Sequence, residues 1–232
     1  MDKRAQTIQN MFSEIAGSYD QANSVLSLGI HHLWKQKLVN MTPVKKGDAV
    51  LDCASGTGDL ALLYKKKVET GKVIGTDFCQ EMLDEAPAKA KAQNLNVEFK
   101  WADVTDLPFE DNQFNACSIS FGIRNVENRV KAYEQLARVT KPGGSVMVLE
   151  FGQIKTPVVK QFYNFYSQKV LPMIGGWVSG KPDAYQYLND SSQVFPCGED
   201  FAKEVMSTGK YKKVDVTPLS FGIAYIYHCQ VI

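Results

Sequence analysis

Strand and helix patterns alternate five times between Ala49 and Phe151. The apolar runs have the length of buried strands, and the segments between them have helix-forming composition. This alternation is typical of a mostly parallel sheet with helices on both faces. We therefore predict a Rossmann-like α/β fold, in which ligands bind at the carboxyl ends of the strands.

The first of these strands leads into a glycine loop. Residues 49–59 read AVLDCASGTGD, in which Val50 and Leu51 are strand formers. Gly56 and Gly58, on either side of Thr57, allow the backbone to turn sharply and to come close to a ligand. The segment predicts a cradle for a nucleotide-type cofactor, although an ordinary strand–turn–helix with an acidic helix start is an alternative.

Two cofactor classes use such a cradle, since Gly56, Gly58 and Ala61 also satisfy the glycine spacing of dinucleotide binders. The acidic residues near the loop favour the other class, proteins that bind S-adenosylmethionine. The carboxylates of Asp52 and Asp59 would repel a diphosphate, whereas they would attract the ammonium and sulfonium groups of S-adenosylmethionine. The pattern thus favours S-adenosylmethionine, and an NAD-dependent oxidoreductase remains an alternative.

Polar residues recur at the predicted strand ends. Asp77 ends the run KVIGTD, where a carboxylate can accept both hydroxyls of an adenosine ribose; a helix N-cap is its other reading. Asp103 follows the third strand and is a candidate for the adenine amino group, with a solvated turn as the alternative. Together with Asp52 and Ser120, these residues are expected at one edge of the sheet.

The remaining patterns predict further elements. The spacing of Ile8, Met11, Phe12 and Ile15 indicates an amphipathic first helix. The chain from Thr156 to Val178 is dense in aromatic residues and reads either as a core helix or as the wall of an apolar pocket. Helices are expected at 82–94, 127–140 and 200–207, and strands at 145–151, 213–218 and 223–231, the last two as an antiparallel pair.

Composition narrows the class of protein. The 232 residues carry 26 Lys and Arg against 25 Asp and Glu, so nucleic acid is not an expected partner. The five cysteines are odd in number and scattered, which predicts reduced, mostly buried thiols of a cytoplasmic protein and no zinc or other metal site. The N-terminus has no apolar signal region and no run is long enough to span a bilayer, so an exported or integral membrane protein is not expected.

Several longer motifs resemble those of the ubiquinone/menaquinone biosynthesis C-methyltransferase family. The pattern Y-D-x-x-N-x-x-L-S-x-x-x-H-x-x-W runs from Tyr19 to Trp34, and the resemblance extends from about Phe12 to about His228. Ala22, Ser55 and Gly152 depart from the pattern, and only Ser55 replaces a glycine in the cradle. The other matching motifs are FGIRNV, RVTKPGG, LEF, YSQKVLP, AYQYL and the FP of Phe195 and Pro196.

The resemblance implies a class I methyltransferase sheet of seven strands with an antiparallel strand at its C-terminal edge. It implies transfer of a methyl group from S-adenosylmethionine to a ring carbon of a polyprenylated quinol, either demethylmenaquinol or 2-methoxy-6-polyprenyl-1,4-benzoquinol. Other methyl acceptors and a catalytically silent subunit of a quinone-synthesis complex remain alternatives. The cofactor residues it implies are Thr57, Asp77, Asp103, Val104 and Ser120.

Ring methylation requires something that favours the phenolate of the acceptor. The fixed positive charge of Arg124 can lower the pKa of a quinol hydroxyl. Alternatively, Arg124 has a structural role in an ion pair with Glu127. His31 can take the proton if a lid brings it within reach, and is otherwise a packed lid residue.

We expect the chain to have two parts. Residues 1–46 form an N-terminal helical lid, and residues 47–232 form a methyltransferase domain with an aromatic-rich insertion near 156–197. Because a polyprenyl tail partitions into lipid, we also expect peripheral contact with a membrane. A homodimer or a quinone-synthesis complex is a possible assembly.

Overall fold

The protein is described by a computed structural model that covers residues 5–154, 187 and 190–232. Seven strands form one sheet in the order β3-β2-β1-β4-β5-β7-β6. The pairs among the first five strands are parallel, and β7 is antiparallel to both β5 and β6. The strands are β1 (Val50–Cys53), β2 (Val73–Asp77), β3 (Glu98–Trp101), β4 (Phe114–Ser120), β5 (Thr140–Phe151), β6 (Tyr211–Leu219) and β7 (Ala224–Val231).

This topology confirms the predicted α/β fold and the antiparallel pair at the end of the chain. The last strand lies one place in from the edge, which β6 forms. Eight α-helices are described: α1 (Ala5–Ile15), α2 (Tyr19–Leu26), α3 (Ile30–Met41), α4 (Asp59–Val68), α5 (Gln80–Asp84), α6 (Ala86–Ala92), α7 (Arg129–Val139) and α8 (Glu199–Met206). Short 3₁₀ turns lie at Ala16–Ser18, Ile123–Asn125 and Ser220–Gly222.

The central strands are buried on both faces, and successive side chains belong to different cores. Val50 packs with Leu38 and Tyr64 in the core under α3 and α4. Leu51, the next residue, packs with Phe201 in the core under α7 and α8. This division follows from the two-residue period of a strand, and it places helices on both faces of the sheet.

Two predicted boundaries were wrong for local reasons. The expected helix from Met82 to Asn94 is two short helices, α5 and α6, which meet at Glu85. Pro87 has no N–H to donate to the carbonyl four residues earlier, so the helical hydrogen bonding is interrupted there. The fifth strand begins at Thr140 instead of Ser145, because Thr140 pairs with Phe114 before the KPGG segment leaves the ladder as a bulge.

The five cysteines are free and buried, as the sequence predicted. In the described part of the chain, none of the helices has the length and apolarity to cross a bilayer. Most of the aromatic-rich stretch, including Thr156 to Val178, lies outside the described residues.

Candidate functional site

A cavity of about 880 Å³ opens at the carboxyl ends of the parallel strands. The glycine loop and the ends of β2 and β4 form its floor, and Ile8 and Phe12 of α1 cover part of it. The chain segments before and at the start of α7 complete the wall. Five of the residues predicted from the sequence line this cavity: Gly56, Asp77, Asp103, Val104 and Ser120.

The two glycines of the loop have different structural roles, although both have positive φ, at 54° and 87°. Gly56 lines the cavity, and a Cβ there would lie 3.2 Å from the terminal carbon of Met82. A Cβ on Gly58 would lie 2.9 Å from the ring of Phe99, a closer approach than side chains tolerate. Gly56 thus brings the backbone to the ligand space, whereas Gly58 lets the loop pack against β3.

Ser55 fits the loop because of a glycine on the neighbouring strand. A Cβ built on Gly75 would lie only 2.7 Å from the Ser55 hydroxyl oxygen. The Ser55 side chain therefore occupies space that any residue larger than glycine at position 75 would need.

The Asp77 carboxylate is fixed by backbone donors at the cavity wall. One oxygen accepts from the Gly56 N–H at 2.8 Å, and the other accepts from the Cys79 N–H at 2.9 Å. Burial raises its pKa, and these backbone hydrogen bonds oppose the rise. Each oxygen keeps a second lone pair, so the carboxylate can accept from two ligand hydroxyls without moving.

Asp103 forms the turn considered from the sequence and also lies at the cavity. Its Oδ1 accepts from the backbone N–H and from the hydroxyl of Thr105, both at 2.8 Å, which is the turn geometry of an aspartate after a strand. The residue also lines the cavity beside Val104. A ligand group at this wall therefore meets an oriented polar side chain and an apolar one.

Three buried polar atoms near the glycine loop and β4 have no hydrogen-bond partner in the described structure: Asp52 Oδ2, Ser55 Oγ and Ser120 Oγ. Asp52 is 1 % exposed, and its other oxygen accepts from the Ser118 hydroxyl at 2.7 Å. Burial raises the pKa of Asp52 to about 7, although Ser118 and Ser55 oppose that rise by hydrogen bonding. Asp52 and Ser55 therefore face each other, and of the three residues only Ser120 lines the cavity. A buried hydroxyl without a partner at a cavity is the expected sign of a polar ligand.

Thr57 lies behind the loop and faces away from the cavity. Its hydroxyl donates to Asp20 of α2 at 2.7 Å and accepts from the Lys89 ammonium at 2.9 Å. The side chain of Thr57 is buried and engaged within the protein. The Thr57 side chain is therefore not available to a ligand in the cavity.

Arg124 is buried beside the cavity and pairs with Glu150, not with Glu127. Its NH1 lies 2.6 Å from Glu150 Oε1 and 2.7 Å from the Phe121 carbonyl oxygen. Only 1 % of its surface is exposed, and the residue does not line the cavity. The adjacent Asn125 does line it and accepts from the Tyr187 hydroxyl at 3.1 Å.

His31 lies on α3 and does not line the cavity. Its Nδ1 is 2.6 Å from the Ser27 hydroxyl, and burial, followed by the charge of Lys35, lowers its pKa to about 4. One ligand atom each of His31, His32 and Asp59 lies within 4.8 Å of the others, which is compatible with a metal ion. Both oxygens of Asp59, however, are paired with lysine ammonium groups.

Sequence reasoning missed several residues of the site. Phe78 lines the cavity directly after Asp77, and its carbonyl accepts from the Trp101 indole at 2.8 Å. The strand-end argument could have included it. Arg129 and Glu204 line the opposite wall as a two-bond ion pair, with N–O distances of 2.7 and 2.9 Å, and they are 75 residues apart. No local pattern signals such a pair.

The sequence of this chain matches a known protein family. A model of the ubiE/COQ5 methyltransferase family matches residues 1–231. The chain is 58% identical over 220 residues to a ubiquinone/menaquinone biosynthesis C-methyltransferase of Bdellovibrio bacteriovorus, covering 95% of this chain and 94% of that protein. It is 39% identical to the protein of the same name from Rickettsia prowazekii, over 97% and 92% of the two chains.

Solved structures agree at the level of the fold. A methyltransferase of Thermotoga maritima, described as S-adenosylmethionine-dependent and possibly a histamine N-methyltransferase, superposes with a TM-score of 0.67 at 16% identity, covering 95% and 98% of the two chains. An S-adenosylmethionine-dependent methyltransferase of Aquifex aeolicus gives 0.60 at 20% identity, covering 85% and 89%. The predicted enzyme class and cofactor, a methyltransferase that uses S-adenosylmethionine, are confirmed over the dinucleotide alternative, and the chain belongs to the ubiE/COQ5 methyltransferase family.

Proposed function

We propose that this protein transfers a methyl group from S-adenosylmethionine to a ring carbon of a polyprenylated quinol in menaquinone or ubiquinone biosynthesis. The observation that carries the proposal is the family match over residues 1–231, with curated C-methyltransferases that align over almost their whole length. The cavity at the strand ends, with the unpartnered hydroxyl of Ser120 in its wall, supports it.

The residues of the cavity suit that cofactor. We propose that Asp77 accepts the ribose hydroxyls, that Asp103 and Val104 contact the adenine, and that Ser120 donates or accepts through its unpartnered hydroxyl. The backbone at Gly56, Thr57 and Gly58 would follow the cofactor, and the Asp52 charge would favour its cationic groups. When bound, S-adenosylmethionine supplies an electrophilic methyl group for the acceptor carbon.

The chain must also favour the phenolate form of the acceptor. We propose that Arg124 favours the phenolate from behind the wall that Asn125 lines, through the dipole of its ion pair with Glu150, which holds the guanidinium in place and neutralises its net charge. The assignment of His31 as the base stays a prediction. Its low pKa makes it a weak base, so most of the effect would come from stabilising the phenolate.

Within the predicted lid, residues 1–46, we propose that the part before α3 moves, because Leu38 of α3 is fully buried in the core with Val50. Phe12 of α1 packs against Cys79 and Met82, and the Ser13 hydroxyl donates to Glu81 at 2.8 Å. Because Ile8 and Phe12 of α1 line the cavity, movement of α1 would open the site to solvent.

Peripheral contact with a membrane is proposed for the same edge of the molecule. Leu28, in the turn before α3, is 87% exposed, and Phe221, in the turn after β6, is 75% exposed. Both have positive φ, a strained backbone conformation for side chains of this size. Assembly as a homodimer or within a quinone-synthesis complex stays a prediction.

The central experiment is a methyl-transfer assay with labelled S-adenosylmethionine and short-chain demethylmenaquinol and benzoquinol acceptors. We expect label in the quinol ring, detected by mass spectrometry, together with saturable binding of S-adenosylmethionine and no comparable binding of NAD in calorimetry. Cofactor binding without transfer to either quinol would overturn the proposed acceptor.

A second experiment tests Arg124. The variant Arg124→Lys is expected to bind S-adenosylmethionine normally and to lose turnover, because an ammonium does not reproduce the planar guanidinium fork. If the variant instead keeps its kcat and loses cofactor affinity, Arg124 belongs to the cofactor site and its proposed role with the phenolate is wrong.

A further inference from the structure

The back of the glycine loop is occupied by one ammonium group that contacts three separate segments. Lys89 of α6 lies 2.7 Å from Asp59 Oδ1 at the start of α4 and 2.9 Å from the Thr57 hydroxyl. It also pairs with the Asp20 carboxylate of α2. The Thr57 hydroxyl donates to that same carboxylate at 2.7 Å. Three donors of one lysine thus join the N-terminal segment, the loop and the first helix after it.

The charges around Lys89 explain why a cation is needed there. Asp20 and Asp59 both approach the same side of the loop, and without a cation their carboxylates would repel each other. Burial alone would raise the pKa of Asp59, but Lys35 and Lys89 outweigh it and hold that pKa well below its usual range. Lys35 reaches only Asp59 among these groups, at 3.0 Å, so Lys89 is the cation shared with α2.

The chain segment before α2 connects the cluster of Lys89, Asp20 and Asp59 to the cavity. The chain runs from α2 back through the Ala16–Ser18 turn to α1, whose Ile8 and Phe12 line the cavity. Gly56, next to Thr57, also lines it. A contact between Lys89 and Asp20 therefore ties the N-terminal segment, which lines the cavity through α1, to the glycine loop, which lines it through Gly56.

We propose that Lys89 is a positioning residue that fastens the N-terminal segment to the back of the glycine loop, so that closing the segment and shaping the cofactor cradle are one coupled event. The inference rests on the proposed function for the identity of the cofactor. The side chains of Lys89 and Asp20 are 30% and 39% exposed, so their ion pair is partly screened by water and can open and close reversibly.

The test compares Lys89→Met with Lys91→Met in the full chain. Lys91 lies on the same helix and is exposed, and methionine keeps the length of the side chain while it removes the charge. In Lys89→Met, backbone amides of α1 and α2 should exchange hydrogen about fivefold faster than in the wild type, and S-adenosylmethionine should bind about fivefold more weakly. Lys91→Met should match the wild type in both measurements.

Two further readouts separate positioning from simple loss of stability. Added salt should weaken cofactor binding in the wild type and leave Lys89→Met nearly unchanged, because the screened ion pair is already absent. The double variant Asp20→Asn/Lys89→Met should exchange no faster than the faster single variant. The inference would be overturned if Lys89→Met showed wild-type hydrogen exchange in α1 and α2 together with unchanged cofactor affinity. Purely additive effects in the double variant would overturn it as well.

These outcomes are distinct from failure of the proposed function. Hydrogen exchange in the cofactor-free protein tests the fastening without any methyl acceptor. If the wild type binds S-adenosylmethionine but methylates no quinol, the acceptor is wrong and the comparison of Lys89→Met with Lys91→Met still decides the role of Lys89.

Discussion

Ser120 and Arg124 lie four residues apart around the end of β4, and they differ in hydrogen bonding. The guanidinium of Arg124 has partners within the protein, whereas the hydroxyl of Ser120 has none among the described residues. The Arg124 guanidinium is held by Glu150 and by the Phe121 carbonyl, entirely within the protein. The Ser120 hydroxyl is equally buried, lines the cavity and has no partner. A predicted site residue can therefore shape the cavity wall through hydrogen bonds within the chain. Alternatively, it can face the cavity with a polar group that is free to bond a ligand.

The same contrast separates the two sides of the glycine loop. Behind it, Thr57, Asp20 and Lys89 satisfy one another. On the cavity side, Asp77 keeps acceptor capacity, and the Ser120 hydroxyl has no partner in the part of the chain that the structure describes. The paired groups should govern stability and the unpaired groups should govern affinity, so variants on the two sides should differ in which quantity they change.

The largest effect is expected where a buried pair is broken. Arg124→Met leaves the Glu150 carboxylate, which is 0% exposed, without its cation, and should reduce the free energy of unfolding by about 3 to 5 kcal/mol. The double variant Arg124→Met/Glu150→Gln should recover much of this loss. Urea unfolding of both variants measures the difference, and a loss below about 1 kcal/mol in the single variant would show that the pair is not structural.

A smaller effect, on affinity, is expected at Asp77. Asp77→Ala removes the acceptor for two ribose hydroxyls and should raise the Kd for S-adenosylmethionine about 100-fold, or about 3 kcal/mol. The alanine also frees the Gly56 and Cys79 amides, so Asp77→Asn serves as the milder comparison. Calorimetry gives both constants. An unchanged Kd for Asp77→Ala would place the ribose elsewhere.

The elements predicted correctly from the sequence are those fixed by local pattern. The apolar runs around Val50 and Phe114 were recognisable as strands because parallel strands are buried on both faces. Asp77 was placed because the end of a strand determines which edge of the sheet a residue reaches. Such features depend on neighbours within a few positions.

What the sequence did not reveal depends on contacts between distant segments. The partner of Arg124 is Glu150 because β4 and β5 pair with Ser120 opposite Leu149, a register that no local pattern states. Lys89 meets Asp20 across 69 positions of the chain. The role of Gly58 likewise depends on Phe99, which packs against it from another strand.

The protonation of Asp52 gives a prediction about pH. Its folded-state pKa of about 7 lies above the ordinary value of 3.8, so between about pH 4 and 7 the unfolded chain loses a proton that the folded protein keeps. Stability should therefore fall by about 4 kcal/mol as pH rises through this window, and Asp52→Asn should lack that part of the fall.

Denaturation of both proteins from pH 4 to 9, without cofactor, measures this difference. Parallel pH profiles for the wild type and Asp52→Asn would mean that the carboxyl ionises normally. With S-adenosylmethionine present, the cationic groups should favour the carboxylate, so cofactor affinity should rise with pH up to about 7 in the wild type and remain flatter in the variant.

The smallest effect, and the sharpest test of the contrast, is expected at Ser120. Its hydroxyl has no partner in the described structure, so Ser120→Ala removes a buried polar atom without breaking a hydrogen bond and should leave the protein at least as stable as the wild type. Affinity for S-adenosylmethionine should fall about fivefold, or about 1 kcal/mol, the usual contribution of one hydrogen bond. Ser118→Ala is the matched control, since that hydroxyl donates to Asp52 at 2.7 Å and its loss should reduce stability. If Ser120→Ala instead loses stability and keeps its affinity, the hydroxyl is bonded within the protein and the contrast between Ser120 and Arg124 is wrong.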